Sequence, residues 1–136
     1  MQAQELVEKV CENNAIAIEI FKQYRLSNSV VCKKCGHTSH YWMASKNQFQ
    51  CKQCRFRTTI RSGSVMENSK LPLSYFFITM LLLEKTSGNL TVDELHKFTG
   101  HKYYEPIWGY LHKMKLYYKE KGVKENFDAF MANINL

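Results

Sequence analysis

A chain of 136 residues, 45% hydrophobic and 23% charged, has material for one domain or two small ones. Its 19 Lys and Arg against 12 Asp and Glu give a formal charge of +7, which points to an acidic polymer as partner rather than to a small-molecule substrate. The most apolar run, Tyr75 to Leu83, is far too short to cross a bilayer, and no basic stretch leads into an apolar one at the start. A soluble cytoplasmic protein with no membrane partner is expected, nucleoid-associated if it binds DNA.

Residues 3–12 read as a charged helix carrying Cys11, a small apolar side chain there and no more. Asn13 and Asn14 interrupt, and Asn14 is suited to cap a second helix running to about Tyr24. Ala17, Ile20, Phe21 and Tyr24 recur on it at helical spacing. Ser27-Asn28-Ser29 closes an N-terminal helical segment spanning residues 1–28.

Residues 29–66 hold two cysteine pairs, Cys32/Cys35 and Cys51/Cys54, fifteen residues apart. Two residues between cysteines let one tight turn aim both sulfurs at a point, and a short hairpin can bring the second pair to the same point. Four thiolates then surround one structural Zn2+. Disulfides are disfavoured, because Cys11 would be left over. A redox motif needs one pair in a βαβ setting, not two at ribbon spacing. Strands are expected at His40–Met43, Gln48–Cys51 and Phe56–Ile60, with Gly36 in the turn after the first pair. His37 and His40 flank this turn but are not assigned as ligands, since four cysteines complete the shell. So small a ribbon has little core, and structural zinc, on the order of 10–16 kcal/mol in comparable peptides, links metal to folding.

Residues 67–122 read as three helices. Pro72 suits the first turn of the apolar one, and Gly88 lies past its end. Thr91-Val92-Asp93-Glu94 matches a capping box, in which Thr91 accepts from the Glu94 amide and the Glu94 side chain bonds back. That short helix ends near Thr99-Gly100. The third runs from about Tyr104 to Glu120, with Ile107, Tyr110, Leu111, Met114 and Tyr118 as its apolar stripe. Long helix, short capped helix, glycine turn and basic helix is the order of a helix-turn-helix. Residues 123–136 form a C-terminal tail, with Glu125 and Asp128 a solvated pair on a short helix. The fold class expected is α+β: a four-cysteine zinc ribbon of short antiparallel strands between an N-terminal helical segment and a helix-turn-helix-like three-helix unit.

Charge is concentrated in the ribbon and the third helix. Lys102, Tyr103 and Glu105 stand where a recognition helix meets base edges, and Lys113, Lys115 and Lys119 where it meets phosphates. Lys33, Lys34, Arg55, Arg57, Arg61 and Lys70 add a basic clamp on the adjoining backbone. Trp42 and Trp108 are expected to pack rather than stack on bases, and His96, His101 and His112 to lie at the surface.

The runs Cys32-x-x-Cys35-Gly36, Phe49-Gln50-Cys51-x-x-Cys54 and Ser62-Gly63-Ser64-Val65-Met66-Glu67-Asn68-Ser69-Lys70-Leu71-Pro72-Leu73 resemble the N-terminal region of bacterial zinc-ribbon insertion-sequence transposases of the DDE type. The likeness extends over roughly residues 12–118, including the helix before the ribbon and the one around Trp108-Gly109-Tyr110-Leu111-His112-Lys113. It implies binding of terminal repeats in double-stranded DNA. Lys33 departs from the family's usual proline and Ser64 from its usual threonine. DDE chemistry needs carboxylates converging on two metal ions. Asp93 and Glu94 are used in capping, and Glu125 and Asp128 are an ordinary pair, so no enzyme activity is expected. Two functions stay open: a sequence-directed DNA-binding module without its own catalytic domain, or a zinc-ribbon protein-interaction or transcription-associated module. In the second, Tyr103, Tyr104, Tyr117 and Tyr118 would meet a protein partner or a second copy.

Overall fold

The computed structural model describes residues 3–134. In chain order these form α1 (Ala3–Glu12), α2 (Asn14–Ser27), β1 (His40–Met43), β2 (Gln48–Cys51), β3 (Arg57–Thr59), α3 (Ser74–Lys85), α4 (Val92–Thr99), α5 (Tyr104–Lys119) and α6 (Val123–Asn133). The fold is α+β, as the sequence predicts. No helix among these residues is long and apolar enough to cross a membrane.

Local chemistry sets the helix ends. Asn13, rather than Asn14, caps α2, its side-chain oxygen accepting from the Ala15 amide at 2.9 Å. Thr91 caps α4 by accepting from the Glu94 amide at 3.2 Å, and its hydroxyl donates to Glu94 Oε1 at 2.9 Å. The carboxylate thus returns to the cap hydroxyl instead of the expected cap amide. Gly100 ends α4 in the left-handed region at φ 64°, where glycine has no Cβ to clash.

The three strands form one antiparallel sheet in the order β1-β2-β3. Alternation gives it two faces. Trp42, Phe49 and Thr58 stand in one cross-strand row and Tyr41, Gln50 and Arg57 in the next, on the opposite face. The Phe49 row packs toward α2, with Lys22 above the Trp42 ring at 5.4 Å and the Arg25 guanidinium above the Phe49 ring at 5.6 Å. Arg25 Nη1 also donates to the Thr59 and Ile60 carbonyls, at 3.4 and 3.1 Å. The other row is open to solvent at Tyr41 and Arg57.

One apolar cluster joins the ribbon to all six helices, taking in Leu6, Phe21, Phe49, Phe76, Leu95, Ile107 and Phe127. Phe76 of α3 stands at its centre. Its ring lies 5.2 Å from Phe21 and 5.1 Å from Tyr24 of α2, and 6.0 Å from Phe127 of α6. The expected apolar stripe of α5 is buried as a set, and α4 packs against both α3 and α5. Residues 123–133, read from sequence as a short helix in a tail, form α6 with Phe127 fully buried.

Two outcomes are expected of this packing. Phe76→Ala removes a ring shared by three helices and lowers unfolding free energy by about 3–5 kcal/mol in denaturant titration. Glu84 on α3 is buried at Oε1 with no hydrogen-bond partner. Burial, and then the Asp128 carboxylate beside it, push its carboxyl up from 4.5 to about 7. An acid raised by folding holds its proton more tightly in the folded chain, so its contribution falls as pH rises from the unfolded value through about 7. Glu84→Gln is therefore more stable than the parent at pH 8, by a margin that shrinks toward pH 5.5. Urea midpoints of both zinc-loaded proteins measure that margin.

Candidate metal centre and nucleic-acid interface

The first cysteine pair lies in the segment between α2 and β1, and the second spans the end of β2 and the turn after it. The two turns are built alike. The Cys32 amide donates to the His37 carbonyl at 2.9 Å, and the Gly36 amide donates to the Cys32 carbonyl at 2.9 Å. In the second turn Cys51 donates to Phe56 at 2.9 Å and Arg55 to Cys51 at 3.0 Å. Each turn needs a left-handed residue after its second cysteine. Gly36 has φ 77°, as the sequence predicts, while the second turn places Arg55 there at φ 65°.

These turns bring all four sulfurs within 4.8 Å of one another. Cys32 Sγ lies 3.5 Å from Cys54 Sγ, and Cys35 Sγ 3.5 Å from Cys51 Sγ. The separations are too long for S–S bonds and close to the roughly 3.8 Å edge of a tetrahedron with Zn–S bonds of about 2.3 Å. Without a cation the cluster shares protons unevenly. Against desolvation, the Cys35 and Lys34 amides and the neighbouring thiols bring Cys32 down to about 6. Against the His37 amide, desolvation within the cluster and the surrounding thiols push Cys35 up to about 12. A divalent ion removes that conflict by holding all four as thiolates. Cys32, Cys35, Cys51 and Cys54 are the ligand set of one structural zinc ion. Among the described residues no histidine, aspartate or glutamate joins them. The His40 ring packs edge-on to Phe49 at 6.3 Å.

The basic residues singled out from sequence have divergent fates. Lys33, beside the first cysteine, pairs with Glu67 at 3.0 Å. Lys113 of α5 donates to the Glu67 backbone carbonyl at 3.0 Å. Glu67 also accepts from the Gly63 amide at 3.1 Å, so the connector from ribbon to α3 is fastened to both. Arg61 turns inward and donates to the Ser69 carbonyl at 2.9 Å. Burial lowers its pKa, and it holds the connector rather than facing solvent. Lys34, Arg55, Arg57 and Lys70 are exposed. A groove of about 440 Å³ between connector and α5 is lined by Lys70, His101, Glu105, Gly109, Tyr110 and Lys113. Lys102 lies over the exposed Tyr103 ring at 5.4 Å. Lys119 is exposed at the end of α5, and Lys115 is half-buried.

Sequence reasoning passed over three features. Arg25 and Glu67, the fasteners of the ribbon, carry no local signal for that role, because the partners they join across the fold lie 34 to 46 residues away. The row Tyr41–Gln50–Arg57, with Lys52 over the Tyr41 ring at 4.9 Å, needed the strand register. Trp108, expected to pack, is 52% exposed, whereas Trp42 packs on Phe49 at 5.0 Å as expected. The signal for Trp108 was present, since it falls outside the apolar stripe of α5. His112 is exposed, but His96 and His101 are half-buried, His96 Nε2 donating to the His101 carbonyl at 2.8 Å.

The family model described as Transposase zinc-ribbon domain matches residues 12–57. That span runs from the end of α1 through α2 and both cysteine turns to the first residue of β3. No curated protein and no solved structure matches the chain. Over residues 12–57, then, the chain carries a zinc ribbon of the transposase type.

Cys32→Ser or Cys51→Ser is expected to drop zinc from one equivalent per chain and melt the ribbon, read by elemental analysis and calorimetry. The two turns should respond oppositely to a change of residue at matched positions. Gly36→Ala, with nothing within 4 Å of the added Cβ, costs about 1 kcal/mol through φ alone. Arg55→Gly relieves the same conformation and raises stability of the zinc-loaded protein by up to about 1 kcal/mol.

Proposed function

We propose that this chain is a sequence-directed DNA-binding module related to the end-binding region of an insertion-sequence transposase of the DDE type, working in the cytoplasm. The observation that carries it is the junction at Glu67. There Lys33 of the first cysteine turn and Lys113 of α5 meet on one connector, so the ribbon's basic edge and the basic helix act as a single surface. The transposase-type ribbon over residues 12–57 supports a polyanionic partner. The proposed division is a ribbon at residues 29–66, a helix-turn-helix at 67–122, and flanking segments 1–28 and 123–136.

In this mechanism α5 is the recognition helix, presented by the turn after Gly100. Lys102, Tyr103 and Glu105, all exposed at its start, meet base edges. Lys34, Arg55, Arg57, Lys70, Lys115 and Lys119 meet phosphates and set register. Lys33, Lys113 and Arg61 hold the two parts in position, their charge partly satisfied within the protein.

A protein-interaction module is the second reading, favoured by the exposure of Tyr103 and Tyr104. Half of the tyrosine surface it requires is occupied, since Tyr118 is buried and the Tyr117 hydroxyl bonds that of Tyr24.

Salt separates the two. Binding to duplex DNA should weaken with log salt at a slope of about −0.9 per phosphate contacted, and weak, salt-insensitive binding supports the interaction module instead. Lys119→Ala should weaken all sequences alike and reduce that slope by about one. Lys102→Ala or Glu105→Ala should change the preferred sequence in a selection from random duplexes.

A further inference from the structure

The outward side of α5 carries aromatic rings among its charged residues. Trp108 is half-exposed, and the next turn places His112 against it with ring centroids 4.3 Å apart. His112 Nδ1 donates to the Trp108 carbonyl at 2.9 Å, which fixes the imidazole beside the indole. Gly109, between them on the helix, leaves open space: a Cβ built there meets nothing within 4 Å. One turn before, Tyr104 is exposed and packs edge-on to His96 at 5.5 Å.

Base edges in a stacked duplex are read by hydrogen-bond donors and acceptors. An indole offers a π face, which pairs with the face of a base, and those faces are covered wherever bases are stacked. Lys102, Lys113, Lys115 and Lys119 stand on or beside the same helix, which has Glu105 as its one acid. Two copies of this face would set lysines against lysines, whereas a polyanion satisfies them.

We infer that the Trp108–His112 pair is a stacking site for an unpaired base, so that the preferred ligand is duplex DNA carrying a single-stranded extension rather than an uninterrupted duplex. This rests on DNA being the partner, as proposed above. The duplex lies against the start of α5, and the first unpaired base stacks on Trp108 one turn further along. Stacking is indifferent to base identity, so the site reads DNA structure and leaves sequence to Lys102, Tyr103 and Glu105.

The test uses the full zinc-loaded chain with Trp42→Phe, which leaves Trp108 as its sole tryptophan. A blunt duplex and the same duplex with a short oligothymidine overhang are titrated at one salt concentration. The overhang should quench Trp108 emission and bind about tenfold tighter. In the Trp42 parent, Trp108→Ala should abolish that margin while holding blunt-duplex affinity within about twofold, and Trp108→Phe should restore most of it. Equal affinity for both duplexes, without quenching, overturns the stacking site while a steep salt dependence keeps DNA as partner. Failure to bind either duplex overturns both. A dimer in sedimentation that Trp108→Ala converts to monomer assigns this face to self-association and overturns the inference.

Discussion

Four thiolates gathered within 4.8 Å repel one another unless a cation stands among them. One divalent cation converts that conflict into the strongest constraint in the chain. It fixes two turns that share the same hydrogen bonds, and the turns fix the strands that follow them. A three-stranded sheet of four, four and three residues is too short to stand by itself, so it depends on the ion together with its packing on α2. The ion thereby positions the basic residues of the two cysteine turns, Lys33, Lys34, Lys52 and Arg55.

The ribbon is not suspended from the helices by a linker. Phe49 lies in the same apolar cluster as Phe21 and Phe76, and Arg25 binds the carbonyls at the end of β3. The connector from Ser62 to Lys70 has little regular structure of its own, and charged groups hold it: Arg61 on the Ser69 carbonyl, Lys33 on the Glu67 carboxylate, Lys113 on the Glu67 carbonyl. Arg61 is thereby drawn inward, while Lys33 and Lys113 stay at the surface with their charge partly satisfied at Glu67. Exposed cations flank both cysteine turns, at Lys34, Arg55 and Arg57, and lie along the connector and α5, at Lys70, Lys113 and Lys119. The Glu67 junction ties the first cysteine turn to α5, the carboxylate holding Lys33 and the backbone carbonyl holding Lys113.

The sequence alone determined what depends on neighbours in the chain. Cysteine spacing gave the ligand set, because two residues between thiols suffice to aim both. Apolar spacing located α2 and α5, and Thr91 and Gly100 bounded α4 through local hydrogen bonds and a left-handed turn. Tertiary structure decided whatever depends on a distant partner. Arg61 and Lys33 look like free cations in sequence, yet their partners are a carbonyl and a carboxylate in the connector, and no periodicity signals such a meeting. Trp108 is the exception, since it lies off the apolar stripe of α5 and its exposure follows from spacing once that stripe packs against α3. The physical reason is common to the rest: short-range bonds are written in spacing, while burial and long-range charge pairing exist only after the chain has closed on itself.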